Sequence, residues 1–168
     1  MIRTIAFSTV LLVVLSYIQS TWLGAIAVLG VIPDLSIVAL IWISYKNGIV
    51  EGSVAGFAVG LAEDFISAAP LGFNAFVKVC AAICASFLHG VFLIDKVLLP
   101  FVLGVGATLL KALAAGVLSL LFREQVHGYD VLKPILWIEA AYNGVIAPIL
   151  FLLLSFLKRI LITERGRE

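Results

Sequence analysis

Residues 4–23 read TIAFSTVLLVVLSYIQSTWL, twenty consecutive positions without a charged side chain. A helix rising about 1.5 Å per residue covers about 30 Å in that length, the thickness of a bilayer's hydrocarbon core. Arg3 before the run and Ala25-Ile26-Ala27 behind it imitate a secretory signal with a small-residue cleavage site. A signal core is only about 7–15 residues long, so the run is expected to remain in the protein as a first crossing.

The rest of the chain has the same character. Hydrophobic residues occupy 63% of its 168 positions and charged residues 12%, with a mean hydropathy of +1.21. A soluble domain carries about 25% charged residues. The expected class is therefore all-α, a polytopic membrane protein forming one transmembrane domain over residues 1–168. Apolar runs divided by charge, proline or glycine place helices at 4–23, 33–45, 48–66, 71–88, 98–122 and 135–157. The second is short, since Asp34 and Lys46 leave eleven uncharged residues between them. Either it starts upstream in the apolar 24–32 with a kink at Pro33, or that segment is an interfacial connection.

Lys and Arg accumulate in cytoplasmic connections. With six crossings, one side holds Arg3, Lys46, Lys96, Lys158, Arg159, Arg165 and Arg167, and the other holds Arg123 and Lys133. Seven against two puts both termini in the cytoplasm. The basic C-terminal segment serves as a stop-transfer signal or contacts anionic lipid heads. Eleven Lys and Arg nearly balance ten Asp and Glu, which gives no sign of a nucleic-acid partner. Trp22, Tyr45, Tyr129 and Trp137 lie near helix ends, as interfacial aromatic residues do. His89 and His127 fall in connections, and Cys80 and Cys84, four apart in an apolar run, read as small packing residues.

Two features inside the membrane stand out. Gly48, Gly52, Gly56 and Gly60 place a small residue at every fourth position of the third helix. Such ridges let backbones approach closely in lipid. This one serves either packing within the bundle or a site for another protein, and the spacing leaves both open. The second feature is charge. Glu63, Asp64, Lys78, Lys111 and Glu139 all fall in the outer half or the midplane of the six-crossing arrangement. An isolated charge at a helix centre costs about 2.5–3.5 kcal/mol, so mutual pairing is expected to gather these five into a polar cluster. That cluster is either an internal tie or a pocket. Metal-spaced histidines, a nucleophile elbow and a phosphate-binding loop are missing. No catalytic residue, metal ligand or cofactor is expected.

Longer stretches carry a resemblance. Ile32-Pro33-Asp34-Leu35 leads an apolar helix, and the glycine ridge runs into Gly60-Leu61-Ala62-Glu63-Asp64-Phe65-Ile66-Ser67-Ala68-Ala69-Pro70-Leu71-Gly72. Near the end stand Asn143-Gly144-Val145-Ile146-Ala147-Pro148, an apolar helix, and Lys158-Arg159. In order and spacing this resembles the MreD family of rod shape-determining proteins. The resemblance implies a six-helix bundle similar to the substrate-binding subunits of energy-coupling-factor transporters, in the bacterial inner membrane. It points to Asp64, Leu71, Gly72, Asn143 and Pro148 as family positions, while Glu63, Lys78 and Lys111 lie outside the pattern. It also implies a non-catalytic scaffold of cell-wall elongation that binds MreC. In the same complex stand MreB, the glycosyltransferase RodA and its transpeptidase partner, with self-association left open. The alternative is a substrate-binding subunit of a vitamin transporter, with Lys78, Lys111 and Glu139 gripping a polar ligand. Against it, 4–23 lacks the Ala-x-x-x-Ala coupling pattern common in that family.

Overall fold

The computed structural model describes residues 2–67, 69–88, 97–121 and 133–162. His89, Lys96, Arg123, His127, Tyr129, Arg165 and Arg167, named above, lie outside the described residues. The elements are α1 (Ile2–Trp22), a 3-10 turn (Leu23–Ile26), α2 (Leu35–Asn47), α3 (Ile49–Ile66), α4 (Phe73–Ser86), α5 (Leu98–Leu121), α6 (Pro134–Phe156) and α7 (Lys158–Leu161). Among the described residues there is no strand, only an isolated bridge between Val28 and Val31. Among the described residues, three helical segments are long and apolar enough to cross a membrane by length and composition: Ile2–Ala25, Leu98–Leu120 and Pro134–Phe156.

The faces of α1 are arranged for an apolar surrounding. Its buried residues are Thr4, Ser8, Leu12 and Ser16, one every fourth position. Phe7, Val10, Val14 and Tyr17 are exposed. A helix that turns hydroxyls inward and large apolar groups outward reverses the pattern of a soluble bundle, where the apolar stripe faces the core.

Residues 24–34 do not extend α2. Val28 and Val31 exchange backbone hydrogen bonds of 3.2 and 3.0 Å around Leu29 and Gly30, both at positive φ. The helix then starts at Leu35, two residues later than the sequence places it, because Asp34 caps it. Asp34 Oδ1 accepts from the Ile37 N–H at 3.1 Å, satisfying one of the orphan donors of a first turn. At 13 residues α2 is about 20 Å long, short of the hydrocarbon thickness. It nevertheless lies at the centre. Ten of its 13 residues are buried, and it touches α1, α3, α4, α5 and α6. A helix apolar on all sides belongs inside a protein, and a helix ringed by others need not match the membrane's thickness.

Around α2 the most extensive helix pairings are α3 with α4 and α5 with α6. Both are glycine-mediated. A methyl group added at Gly60 would overlap the Ala75 backbone, and one at Gly56 would come within 3.2 Å of the Lys78 carbonyl oxygen. At Gly52 it would meet the Ser44 side chain of α2. The ridge is thus buried within the bundle, and Gly52, Gly56 and Gly60 are not available as a surface for another protein. Gly48 differs: its φ of 92° closes the bend between α2 and α3, and its N–H donates to the Ser44 carbonyl at 2.9 Å. On the other pair, Gly104 and Gly144 face the Asn143 carbonyl and the Phe101 ring.

Candidate functional site

A connected network of polar side chains draws on all six long helices. Its hub is the start of α2. Asp34 Oδ2 lies 2.9 Å from Lys111 Nζ of α5, and Asp34 Oδ1 lies 3.9 Å from Lys78 Nζ of α4. Lys111 also pairs with Glu139 of α6 at 2.7 Å, and Lys78 with Glu63 of α3 at 2.9 Å. Ser36 stands between the two halves. It accepts from Lys78 Nζ at 2.8 Å, and its hydroxyl is 2.9 Å from Asp34 Oδ1 and 2.8 Å from Glu63 Oε1. With a single proton, it donates to one of these carboxylates at a time.

The network reaches α1 and the core of α6 through neutral groups. Ser16 donates to Glu63, and Gln19 Oε1 accepts the Ser36 N–H at 3.2 Å. Asn143 Oδ1 accepts the Asp34 N–H at 2.8 Å, while its Nδ2 donates to Thr108 Oγ1 at 2.8 Å. Thr108 in turn donates to the Gly104 carbonyl at 3.3 Å. Both ends of the Asn143 amide are therefore used, and Asn143 is fully buried.

Three carboxylates and two ammonium groups share this space. The Lys78 side chain is 2% exposed and that of Lys111 is 19% exposed. Removing one partner from a buried pair costs about 3–5 kcal/mol, because the other charge stays buried alone. Chemically the arrangement holds helices in fixed register. Among the described residues, no three His, Cys, Asp or Glu side chains converge in a way that would hold a metal.

The structure brings together Glu63, Lys78, Lys111 and Glu139. It separates Asp64 from them, although Asp64 adjoins Glu63 in sequence. Neighbouring helical residues point about 100° apart, and Asp64 turns toward the start of α4. Its Oδ2 accepts the Gly72 N–H at 2.8 Å and the Ala75 N–H at 3.4 Å. Its Oδ1 accepts from the Asn74 N–H at 2.8 Å and from Asn74 Nδ2 at 2.9 Å. The carboxylate thus caps α4 from the neighbouring helix. Gly72 sits at φ 92°, a left-handed conformation open to glycine at little cost. Leu71 beside it is exposed. Pro148 lies inside α6, where its missing N–H frees the carbonyl of Gly144.

Sequence reasoning did not place Asp34, Ser36, Ser16, Gln19 or Thr108 in this cluster. Asp34 was legible in principle: Pro-Asp directly before an apolar run is a helix-start signal, and a capping carboxylate sits at a helix end facing neighbours. The hydroxyls carry no such signal, since serine and threonine are common throughout membrane helices.

Comparison with known proteins completes this picture. No curated protein and no solved structure matches the chain. The family model of the rod shape-determining protein MreD matches residues 1–157. That span takes in α1 to α6, the glycine ridge, the Asp64 cap and every residue of the network, and the chain belongs to the MreD family.

Proposed function

We propose that this protein is a non-catalytic scaffold of the bacterial cell-wall elongation machinery, built to bind MreC and to help couple MreB filaments to RodA and its transpeptidase partner. The match over residues 1–157 carries this reading. In it, α1 to α6 are six crossings of the inner membrane in a bundle similar to those of energy-coupling-factor substrate-binding subunits. Both termini are cytoplasmic, with the network in the outer half.

The network supports a scaffold over a ligand binder. Lys78, Lys111 and Glu139, the groups a polar ligand would need, are each engaged in ion pairs between helices. A body tied in this way presents fixed outer faces to its partners. MreC docks on such a face and not on Gly52, Gly56 or Gly60, which the bundle uses itself.

Affinity purification of the tagged chain from its membrane, followed by mass spectrometry, tests the reading. MreC is expected as a stoichiometric companion. Recovery of an ATPase module or a bound vitamin in its place would overturn the scaffold. Reporter fusions at both ends check the topology, with cytoplasmic signals expected from each.

A further inference from the structure

Among the described residues, every exposed charge is positive. Arg3, Lys46, Lys133, Lys158 and Arg159 are exposed, whereas Asp34, Glu51, Glu63, Asp64 and Glu139 are buried or half-buried. Four of the five cations share one end of the bundle. Gln19, near the end of α1, bonds the start of α2, so the two helices run antiparallel and Arg3 lies toward the Lys46 end. The end of α2 is in turn fastened to α7, where Asn47 Nδ2 donates to the Leu161 carbonyl at 2.8 Å. Leu161 is 2% exposed, and α7 also packs on α1. Lys133, at the start of α6, belongs to the opposite end.

The fastening determines how α7 lies. With Leu161 drawn into the core, the same turn holds Lys158 and Arg159 outward, next to exposed Phe156, Leu157 and Ile160. Arg3 and Lys46 are supported similarly, each stacked on an aromatic ring: Arg3 is 5.5 Å from the Phe7 centroid and Lys46 is 4.9 Å from that of Tyr45. Cations held at the rim of an apolar surface match a layer of anionic headgroups lying over acyl chains.

We infer that this end is a docking surface for anionic phospholipid headgroups, formed by Arg3, Lys46, Lys158 and Arg159, with Asn47 as the positioning residue that seats α7. The inference rests on the reading of the bundle as membrane-spanning and is independent of MreC. Each cation near an anionic membrane surface contributes about fivefold in affinity.

The test uses the full chain purified in a neutral detergent. It is exposed to an equimolar mixture of phosphatidylglycerol and phosphatidylcholine, and retained lipid is counted by native mass spectrometry. The wild type is expected to retain phosphatidylglycerol preferentially. The triple variant Lys46→Gln, Lys158→Gln, Arg159→Gln should lower the ratio by about tenfold or more, and Lys133→Gln should leave it unchanged. Asn47→Ala keeps every cation and should fall between the two, with circular dichroism confirming that it stays folded. Equal retention of both lipids by the wild type, or equal loss in Lys133→Gln and the triple variant, would overturn the surface. The first outcome would leave these cations to an acidic protein segment. A wild-type ratio in folded Asn47→Ala would overturn the positioning role.

Discussion

The two ends of α3 join the bundle in opposite ways. From Gly52 to Gly60 the helix contributes absence: without side chains, its backbone meets Ser44, Lys78 and Ala75 directly. One turn later, Glu63 and Asp64 contribute charge and reach across gaps to Lys78 and to the N–H groups of α4. In lipid, where burial of apolar surface gives helices no reason to associate, both solutions are available. They fail differently. Close backbone contact is sensitive to added volume and indifferent to the chemistry of what is added. An ion pair tolerates volume but not the loss of a partner.

The strongest way to break the comparison is at Lys78. Lys78→Met keeps the volume and leaves Glu63 and Asp34 facing each other without their buried cation. It should lower stability by about 3–5 kcal/mol, measured by unfolding in mixed micelles. The double variant Lys78→Met, Glu63→Met should lose less than the sum of its single changes, since removing both partners leaves no orphaned charge. Additive losses would mean that the pair is not coupled. Lys111→Leu should cost less than Lys78→Met, because the Lys111 side chain is 19% exposed against 2% for Lys78.

Next in size is Gly60→Ala, which drives a methyl group into the Ala75 backbone. Overpacking of this kind costs about 1–3 kcal/mol. Gly106→Ala is its control, because nothing lies within 4 Å of the added carbon. That variant should be neutral or stabilising by up to about 1 kcal/mol from helix propensity. Equal melting temperatures for the two variants would show that the ridge is not in tight contact.

Much of this was legible in the sequence. Apolar runs divided by charge, proline or glycine lie within two residues of the described helix ends, and the four-residue spacing of glycine marked the ridge on α3. The cost of isolated charge was reason enough to expect Lys78 and Lys111 to seek Glu63 and Glu139. What was hidden has a physical cause. The central place of α2 follows from its being surrounded, and length arguments treat each helix as if it met lipid alone. The cap formed by Asp34 was legible, but its place as hub was hidden, because a charge at the edge of an apolar run reads only as a boundary, while in the bundle that boundary is the meeting point of five other helices. Glu63 and Asp64 looked like one feature because they are adjacent, but the helical turn sends them to different neighbours.

That divergence provides the smallest and most selective test. Asp64 acts as a cap supplied from outside the helix it caps, accepting from Gly72, Asn74 and Ala75. Loss of a cap costs about 0.5–2 kcal/mol, so Asp64→Ala should destabilise within that range. Asp64→Asn retains one acceptor oxygen and should recover part of the loss. Hydrogen exchange distinguishes this effect from damage to the network. In Asp64→Ala the amides of Gly72, Asn74 and Ala75 should exchange faster, while those of Ser36 and Ile37, at the hub, keep wild-type protection. Faster exchange at both places would mean that the two acidic neighbours act as one site after all, and the contrast between the ends of α3 would reduce to glycine against charge, with no division between pairing and capping.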